Sequence, residues 1–464
     1  MKNLFVITFY HLFICSGLFA QQTMITGSAP GAEGKKITLT KPGDLVTFVE
    51  KKITSTIVDS TGQFTLTCNP GETIYANIYI NFHKSDIFLE PGRSYRVKIA
   101  PMDYNDYKEV NPFIQSQNLQ MEIMTTLNDL NILITDFSSL YDSFILENFD
   151  ALYRDRNKAK LDTFRVKVRE RYNSETNPYF TQYMFYKLAS LEQLTQSLNQ
   201  VQLAKKYFVD KPVLYENLEY MDFFNSFFSK YMTVTSRELH KIDYLPLFRK
   251  PDPYTSFLKT LALDSLLKNE QLRELVLLKG LMEIFNMPNF NQNDILALLN
   301  AVQMRSKYPG NRVVAEDMIK YLTKLKPGTP APDFTLLNLQ KDSVSLKDFQ
   351  GKPLLICFYA TYCQGCLSEM DIMKTLYDKY KDRMYFVGIS ADKSFLTMRY
   401  FTSKKKEYTW TFLHIGDRSD LLKEYDVRSF PLFVLIGKNG MIYQYPADYP
   451  SSGLETTLAK LLEE

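Results

Sequence analysis

Three textures of apolar and polar residues follow one another along the chain. From 21 to 103 short alternating runs prevail: Lys36-Ile-Thr-Leu-Thr, Phe64-Thr-Leu-Thr, Ile74-Tyr-Ala-Asn-Ile-Tyr-Ile, Ile87-Phe-Leu and Tyr95-Arg-Val-Lys-Ile. Period-two alternation predicts half-buried strands, and Asp59-Ser-Thr-Gly62 and Glu90-Pro-Gly92 supply the turns between them. A small β-sandwich is expected here. It holds no grouping of acids, histidines or nucleophiles that suggests catalysis, and Cys68 reads as a small semi-buried thiol at a strand end.

From 104 to 326 the period changes to that of a helix. Tyr220, Phe223, Phe224, Phe227, Phe228 and Tyr231 make a complete amphipathic stripe, with similar texture over Leu272–Phe285 and Val313–Leu325. Pro212, Pro251, Pro253 and Pro288 mark breaks between helices. So many aromatics at helical spacing predict a core rather than a peptide-binding groove.

The third texture opens at Lys326-Pro-Gly-Thr-Pro-Ala-Pro-Asp-Phe and runs from 327 to 464. Phe334-Thr-Leu-Leu, the turn at Lys341-Asp342, the continuous apolar runs Pro353–Tyr359 and Met384–Ser390, and an amphipathic helix between those runs predict an α/β unit with a right-handed parallel crossover. Leu432–Ile436 and Met441–Tyr445, joined through Gly437-Lys-Asn-Gly440, predict a hairpin. A closing helix follows from Gly453 to Glu464.

Composition adds little bias. The formal charge is +3 over 464 residues, and the cluster Lys404-Lys405-Lys406 is short, so nucleic acid is not indicated. Lys2, the apolar stretch Leu4–Phe13 and Ser16-Gly-Leu-Phe-Ala20 before Gln21 read as a secretory signal spanning 1–20. Cys15 is a poor lipid-attachment site, because bulky Ile14 precedes it where such signals want a small residue. No later run reaches the roughly 18 apolar residues of a membrane span. The expected location is therefore the periplasm or cell envelope, and the oligomeric state is left open.

The chemistry gathers at Cys363-Gln-Gly-Cys366, delivered by an apolar strand to the start of a helix whose inner face is Cys366, Met370, Met373, Tyr377 and Tyr380. Cys363 falls at the helix N-terminus, where unpaired N–H groups and the dipole favour the nucleophilic thiolate. Cys366, one turn later, is placed to resolve a mixed disulfide. A zinc site needs about four ligands, and with no second Cys-x-x-Cys and only His11, His83, His240 and His414, no metal is expected. In an exported chain cysteines usually become structural staples. Cys68, Cys357, Cys363 and Cys366 are too few for that, so the dithiol reads as catalytic.

Ala331-Pro-Asp-Phe, the Cys363–Cys366 motif on the first helix, and Val427-Arg-Ser-Phe-Pro431 before a hairpin together resemble the thioredoxin fold. More closely, they resemble the exported TlpA/ResA-like thiol-disulfide oxidoreductases, over 327–464. The two upstream regions resemble the β-rich and helical extensions of envelope proteins of Bacteroidetes-type bacteria. The resemblance implies that Pro431 is a cis-proline facing the dithiol. It also implies that the Phe430 backbone, with Tyr362 nearby, receives an extended substrate peptide by strand addition. Glu369 occupies the position of a glutamate that can act as general base toward Cys366.

The chain also departs from the pattern. Gln364-Gly365 carries no proline, Asp371 stands where relatives often have one, and Cys357 replaces the buried acid of thioredoxin. Cys357 is expected to be buried and inert. The implied reaction is reduction of protein disulfides by Cys363 and Cys366, recharged by an external thiol electron donor and needing no metal or organic cofactor. Direction is not readable from the motif, since potentials of such folds run from about −270 to about −120 mV; reductase follows only from the resemblance. A disulfide oxidase or isomerase, a thiol peroxidase and a non-enzymatic partner-binding protein stay open. For the peroxidase, Thr361 is present but no proline lies between Leu354 and Cys363.

Overall fold

A computed structural model describes residues 22–463 apart from 82, 103, 105–116, 125–128, 393, 417 and 419. The expected signal segment, with Cys15, lies outside the described residues.

Among the described residues nine strands build the first unit: β1 (Thr23–Ser28), β2 (Lys36–Pro42), β3 (Glu50–Ile57), β4 (Gln63–Cys68), β5 (Ile74–Ile80), β6 (His83–Leu89), β7 (Ser94–Ile99), β8 (Gln117–Asn118) and β9 (Met121–Ile123). They form two sheets, ordered β4-β1-β7-β9 and β3-β2-β5-β6-β8. Ile25, Leu66 and Val97 from one sheet meet Ile37, Leu39, Ile78 and Ile87 from the other in one buried cluster, as alternation dictates for a sandwich. Cys68 closes β4 and is buried, which pushes its thiol pKa up. Strand pairing does not stop near 103 as the sequence pattern suggests. The short β8 and β9 extend both sheets, and the first helix among the described residues begins at Leu130.

Ten helices follow: α1 (Leu130–Tyr153), α2 (Lys158–Arg171), α3 (Pro178–Leu194), α4 (Gln200–Tyr207), α5 (Leu218–Phe227), α6 (Leu245–Phe248), α7 (Pro253–Leu261), α8 (Glu270–Ile284), α9 (Gln292–Arg305) and α10 (Pro309–Thr323). Asn or Asp caps most of them, accepting N–H bonds that would otherwise go unsatisfied. The aromatic stripe is core, with all six side chains buried. It is not one helix, because α5 ends at Phe227 and Lys230, at φ 50°, turns the chain before Tyr231. The sandwich docks on these helices. Leu45 and Val46 enter the helical core, and Lys51 Nζ lies 2.7 Å from the sealed carboxylate of Asp317.

The C-terminal unit contains β10 (Thr335–Asn338), β11 (Ser343–Ser345), β12 (Leu354–Tyr359), α11 (Gln364–Tyr380), β13 (Tyr385–Ser390), α12 (Phe395–Lys404), β14 (Thr411–His414), α13 (Asp420–Glu424), β15 (Leu432–Ile436), β16 (Ile442–Gln444) and α14 (Leu454–Glu463). Its single sheet has the order β11-β10-β14-β13-β12-β15-β16. The central β12, β13 and β14 run parallel, while β10, β15 and β16 pair antiparallel. β12 is buried on both faces. Ile356 and Phe358 pack on one side, Leu355, Cys357 and Tyr359 on the other beneath α11, which explains its unbroken apolar run. The proline-rich connection is stitched to the last hairpin, through Gly328 N–H to the Ile442 carbonyl (2.8 Å) and Ala331 N–H to the Gly440 carbonyl (3.0 Å). The molecule is thus multidomain, with β sheets, then helices, then a thioredoxin-like α/β unit. Among the described residues no helix is long and apolar enough to cross a membrane.

Candidate active site

The C-terminal ends of the parallel strands β12, β13 and β14 converge on one edge of the sheet, the usual place for a site in such a fold. The turn after β12 closes through Cys363 N–H to the Ala360 carbonyl at 3.1 Å. Cys363 is the N-cap of α11, and its Sγ accepts the Cys366 N–H at 3.1 Å. The two cysteines form a disulfide, with Cα atoms 5.2 Å apart. Cys366 is fully buried, whereas Cys363 is half-exposed and only edges the cluster beneath α11. Gln364 and Gly365 are exposed, and a Cβ built on Gly365 meets no atom within 4 Å. Space over the pair is open on that side.

The Phe430–Pro431 peptide bond is cis. Antiparallel register sets Leu432 opposite Phe358, so Pro431 falls level with Tyr359, the last residue of β12, from which the cysteine turn departs. Half-buried Phe430 packs on the same cluster as Cys363, and Pro431 is buried. Tyr362 stands beside Cys363 with 56% of its surface exposed. A second cis bond, Tyr445–Pro446, carries no signal in the sequence.

Glu369 is half-buried, and its carboxylate accepts the Ser451 N–H at 3.0 Å and the Ser451 hydroxyl at 2.6 Å. It is therefore held by the segment before α14 rather than standing free in solvent. Cys357 is completely buried under α11, in the cluster that contains Cys366. Burial first, and the Glu369 charge second, push its thiol pKa far up. Neither reactivity nor metal binding is favoured for such a thiol. Among the described residues no group of three or more His, Cys, Asp or Glu is placed to hold a metal ion.

One residue of this edge escapes a reading of the sequence. Asp392, just past β13, is 3% exposed. One carboxylate oxygen accepts both the N–H and the hydroxyl of Thr361, at 2.9 and 2.8 Å, and the other accepts the Ser390 hydroxyl at 2.6 Å. Its carbonyl lies 2.9 Å from His414 Nε2, while His414 Nδ1 accepts the Gly416 N–H. That pattern places the ring proton on Nε2. Thr361 lies two residues before Cys363, so Asp392 joins the cysteine turn to the ends of β13 and β14.

Residues 327–445 match the AhpC/TSA family. The chain is 32% identical over 123 residues to thiol-disulfide oxidoreductase ResA of Bacillus thuringiensis subsp. konkukian, covering 26% of this chain and 69% of that protein. It is 34% identical over 121 residues to the thioredoxin-like protein YneN of Bacillus subtilis, covering 25% and 69% respectively. A crystal structure of a putative thiol-disulfide oxidoreductase from Bacteroides vulgatus is similar at 30% identity and TM-score 0.29, over 30% of this chain and 99% of that one. Through its C-terminal unit the chain belongs to the ResA-type thiol-disulfide oxidoreductases, enzymes of the thioredoxin fold.

Proposed function

We propose that the protein is an exported reductase of protein disulfides in which Cys363 is the nucleophile and Cys366 the resolving thiol. The observation that carries this reading is the asymmetry of the pair: Cys363 is half-exposed at a helix N-terminus, and Cys366 is sealed beneath it. In the reduced enzyme the Cys363 thiolate attacks one sulfur of a substrate disulfide, forming a mixed disulfide and releasing the other as thiolate. Cys366 then attacks Cys363 Sγ, closing the enzyme disulfide and releasing the second substrate thiol, so two electrons pass from enzyme to substrate. An external thiol donor recharges the pair.

Glu369, held by Ser451, takes the Cys366 proton as general base in this scheme, and Phe430, Pro431 and Tyr362 receive the substrate backbone. The exposed surface around Tyr362 and Gly365 supports access by a protein substrate. Lys2 and the apolar Leu4–Phe13 support export to the periplasm or cell envelope. The thiol-peroxidase alternative gains nothing from Thr361, whose hydroxyl is already donated to Asp392.

Trapping tests the assignment. C366S should accumulate a mixed disulfide through Cys363 with a disulfide-containing protein substrate, detectable by mass under non-reducing conditions. C363S should trap none. Trapping through the remaining Cys366 instead would reverse the roles.

A further inference from the structure

Glu369 is fixed by a residue that the cysteine motif does not contain. Ser451 donates its N–H at 3.0 Å and its hydroxyl at 2.6 Å to different oxygens of the carboxylate, so both the position and the plane of that group are set. A glutamate side chain is long and flexible, and it keeps one pose only where partners offset the lost rotamer freedom. The partner here is itself anchored. β16 pairs antiparallel with β15, so the loop that follows it returns to the end of the sheet at which β15 begins, just past Pro431. There the Ala447 N–H bonds the Phe433 carbonyl at 2.8 Å. The Asp448 carboxylate accepts the Gln444 amide and the Thr457 hydroxyl at 3.2 and 3.1 Å, and the Tyr449 carbonyl accepts the Ser452 and Leu454 N–H groups at 2.9 and 3.3 Å. Ser451 is thus held to β15, β16 and α14 before it reaches across to α11.

Cys366 and Glu369 stand one helical turn apart on α11 and are therefore neighbours on one face. Glu369 lies close enough to the layer under that helix for its charge to add to burial in raising the Cys357 thiol pKa, within the cluster that contains Cys366. The two sulfurs of the pair make different demands on their surroundings. Cys363 is half-exposed and draws its activation from the N-terminus of α11. Cys366 is sealed from solvent, so its proton needs an acceptor supplied by the protein. Resting on the reading of Glu369 as the base toward Cys366, we propose that Ser451 is a positioning residue for the resolving step, setting the Glu369 carboxylate for Cys366 and leaving the first attack by Cys363 unaffected. In that step Cys366 Sγ attacks Cys363 Sγ, the bond from Cys363 to the substrate sulfur breaks, the substrate sulfur leaves as thiolate with the electron pair, and the Cys366 proton passes to Glu369.

The test uses the full-length reduced protein and an excess of dithiodipyridine. This probe releases one absorbing pyridinethione when Cys363 attacks it and a second when Cys366 resolves the mixed disulfide. The first phase scales with probe concentration and the second does not, so the two steps are read separately. E369Q should slow the second phase by about a hundredfold, the lower end for loss of a general base. S451A keeps the N–H and loses the hydroxyl, and it should slow the second phase about fivefold, in line with one hydrogen bond, while the first phase stays within about twofold of wild type. S451T restores a hydroxyl and should bring the second phase back to within about twofold. In the E369Q background S451A should add nothing, because its effect passes through the carboxylate. The proposal is overturned if S451A changes the second phase by less than about twofold, if it slows both phases alike, or if it slows E369Q by the same factor as wild type. An E369Q second phase equal to that of wild type would instead overturn the reading of Glu369 as the base, and this inference with it.

Discussion

In the helical region Glu192, Glu219 and Asp317 are sealed from water, and each meets a cation: Arg165 and Lys206 for Glu192, Lys187 for Glu219, Lys51 for Asp317. At the active-site edge Asp392 is sealed to the same degree, but it meets hydroxyls and an N–H that belong to the cysteine turn and the adjoining strand end. The physical cost of burying a carboxylate is similar in both places. What differs is the use of the charge. In the helices a cation cancels it and the pair serves as a clamp, which in the case of Lys51 and Asp317 joins sandwich to helix. At the site its described partners are the Thr361 turn and Ser390, so the carboxylate ties the cysteine turn to the strand end instead of joining two units.

That contrast can be broken most sharply through the sulfurs themselves. C363S should abolish exchange with any disulfide substrate while leaving the thermal midpoint within about 2 °C, since a half-exposed sulfur contributes little to packing. A stopped exchange assay beside an unmoved melting curve is the expected pair of results. The converse experiment acts on the helical side. K51M leaves Asp317 sealed, with Lys320 Nζ at 3.8 Å as its remaining cation among the described residues. The loss should be on the order of 2 kcal/mol, below the range for a fully buried pair because Lys51 is itself partly exposed. Its glutathione equilibrium should match wild type, and a shift there would show that the docking clamp communicates with the dithiol.

Cys357 gives a smaller effect. Exchanging it for Ser places a hydroxyl in an apolar layer and should cost about 1–3 kcal/mol by chemical denaturation. The dithiol equilibrium should not move, and alkylation of native wild type should leave Cys357 unmodified at neutral pH, in keeping with its raised thiol pKa. The smallest effect belongs to Asp371, whose carboxyl is held below its ordinary range chiefly by Lys405, with help from the Tyr408 hydroxyl. For an acid depressed in the folded state the contribution is complete above the unfolded value of about 4, and is lost as pH falls through the lowered folded value. D371N should therefore lower stability by roughly 0.5 kcal/mol at pH 7, and by progressively less as the pH falls below about 4. Denaturant midpoints at the two pH values check the sign.

Legibility followed locality. The strand, the cysteine turn and α11 are contiguous, and the period of each segment announces it. β3 was hidden because Lys51 and Lys52 break its apolar pattern and most of its residues are only half-buried, so no clean alternation survives. β8 and β9 are too short to carry a period at all. The stripe from Tyr220 to Tyr231 predicts burial correctly but not the end of α5, because periodicity reports the buried face and not the left-handed turn at Lys230. Within the site, the two cysteines and Pro431 announce themselves by motif. Asp392 and Ser451 do not, since Thr361 lies 31 residues from Asp392 and Glu369 lies 82 from Ser451, and only the folded unit brings them together.

The most direct test of the account is a redox titration of the full-length protein in dithiothreitol and glutathione buffers, reading Cys363 and Cys366 by alkylation mass with Cys68 and Cys357 as internal controls. The account predicts a single two-electron transition of the Cys363–Cys366 pair at or below about −230 mV, with the other two thiols unchanged. A transition near about −120 mV would contradict the reductive direction, and the absence of any transition would contradict the assignment of the dithiol as the working centre.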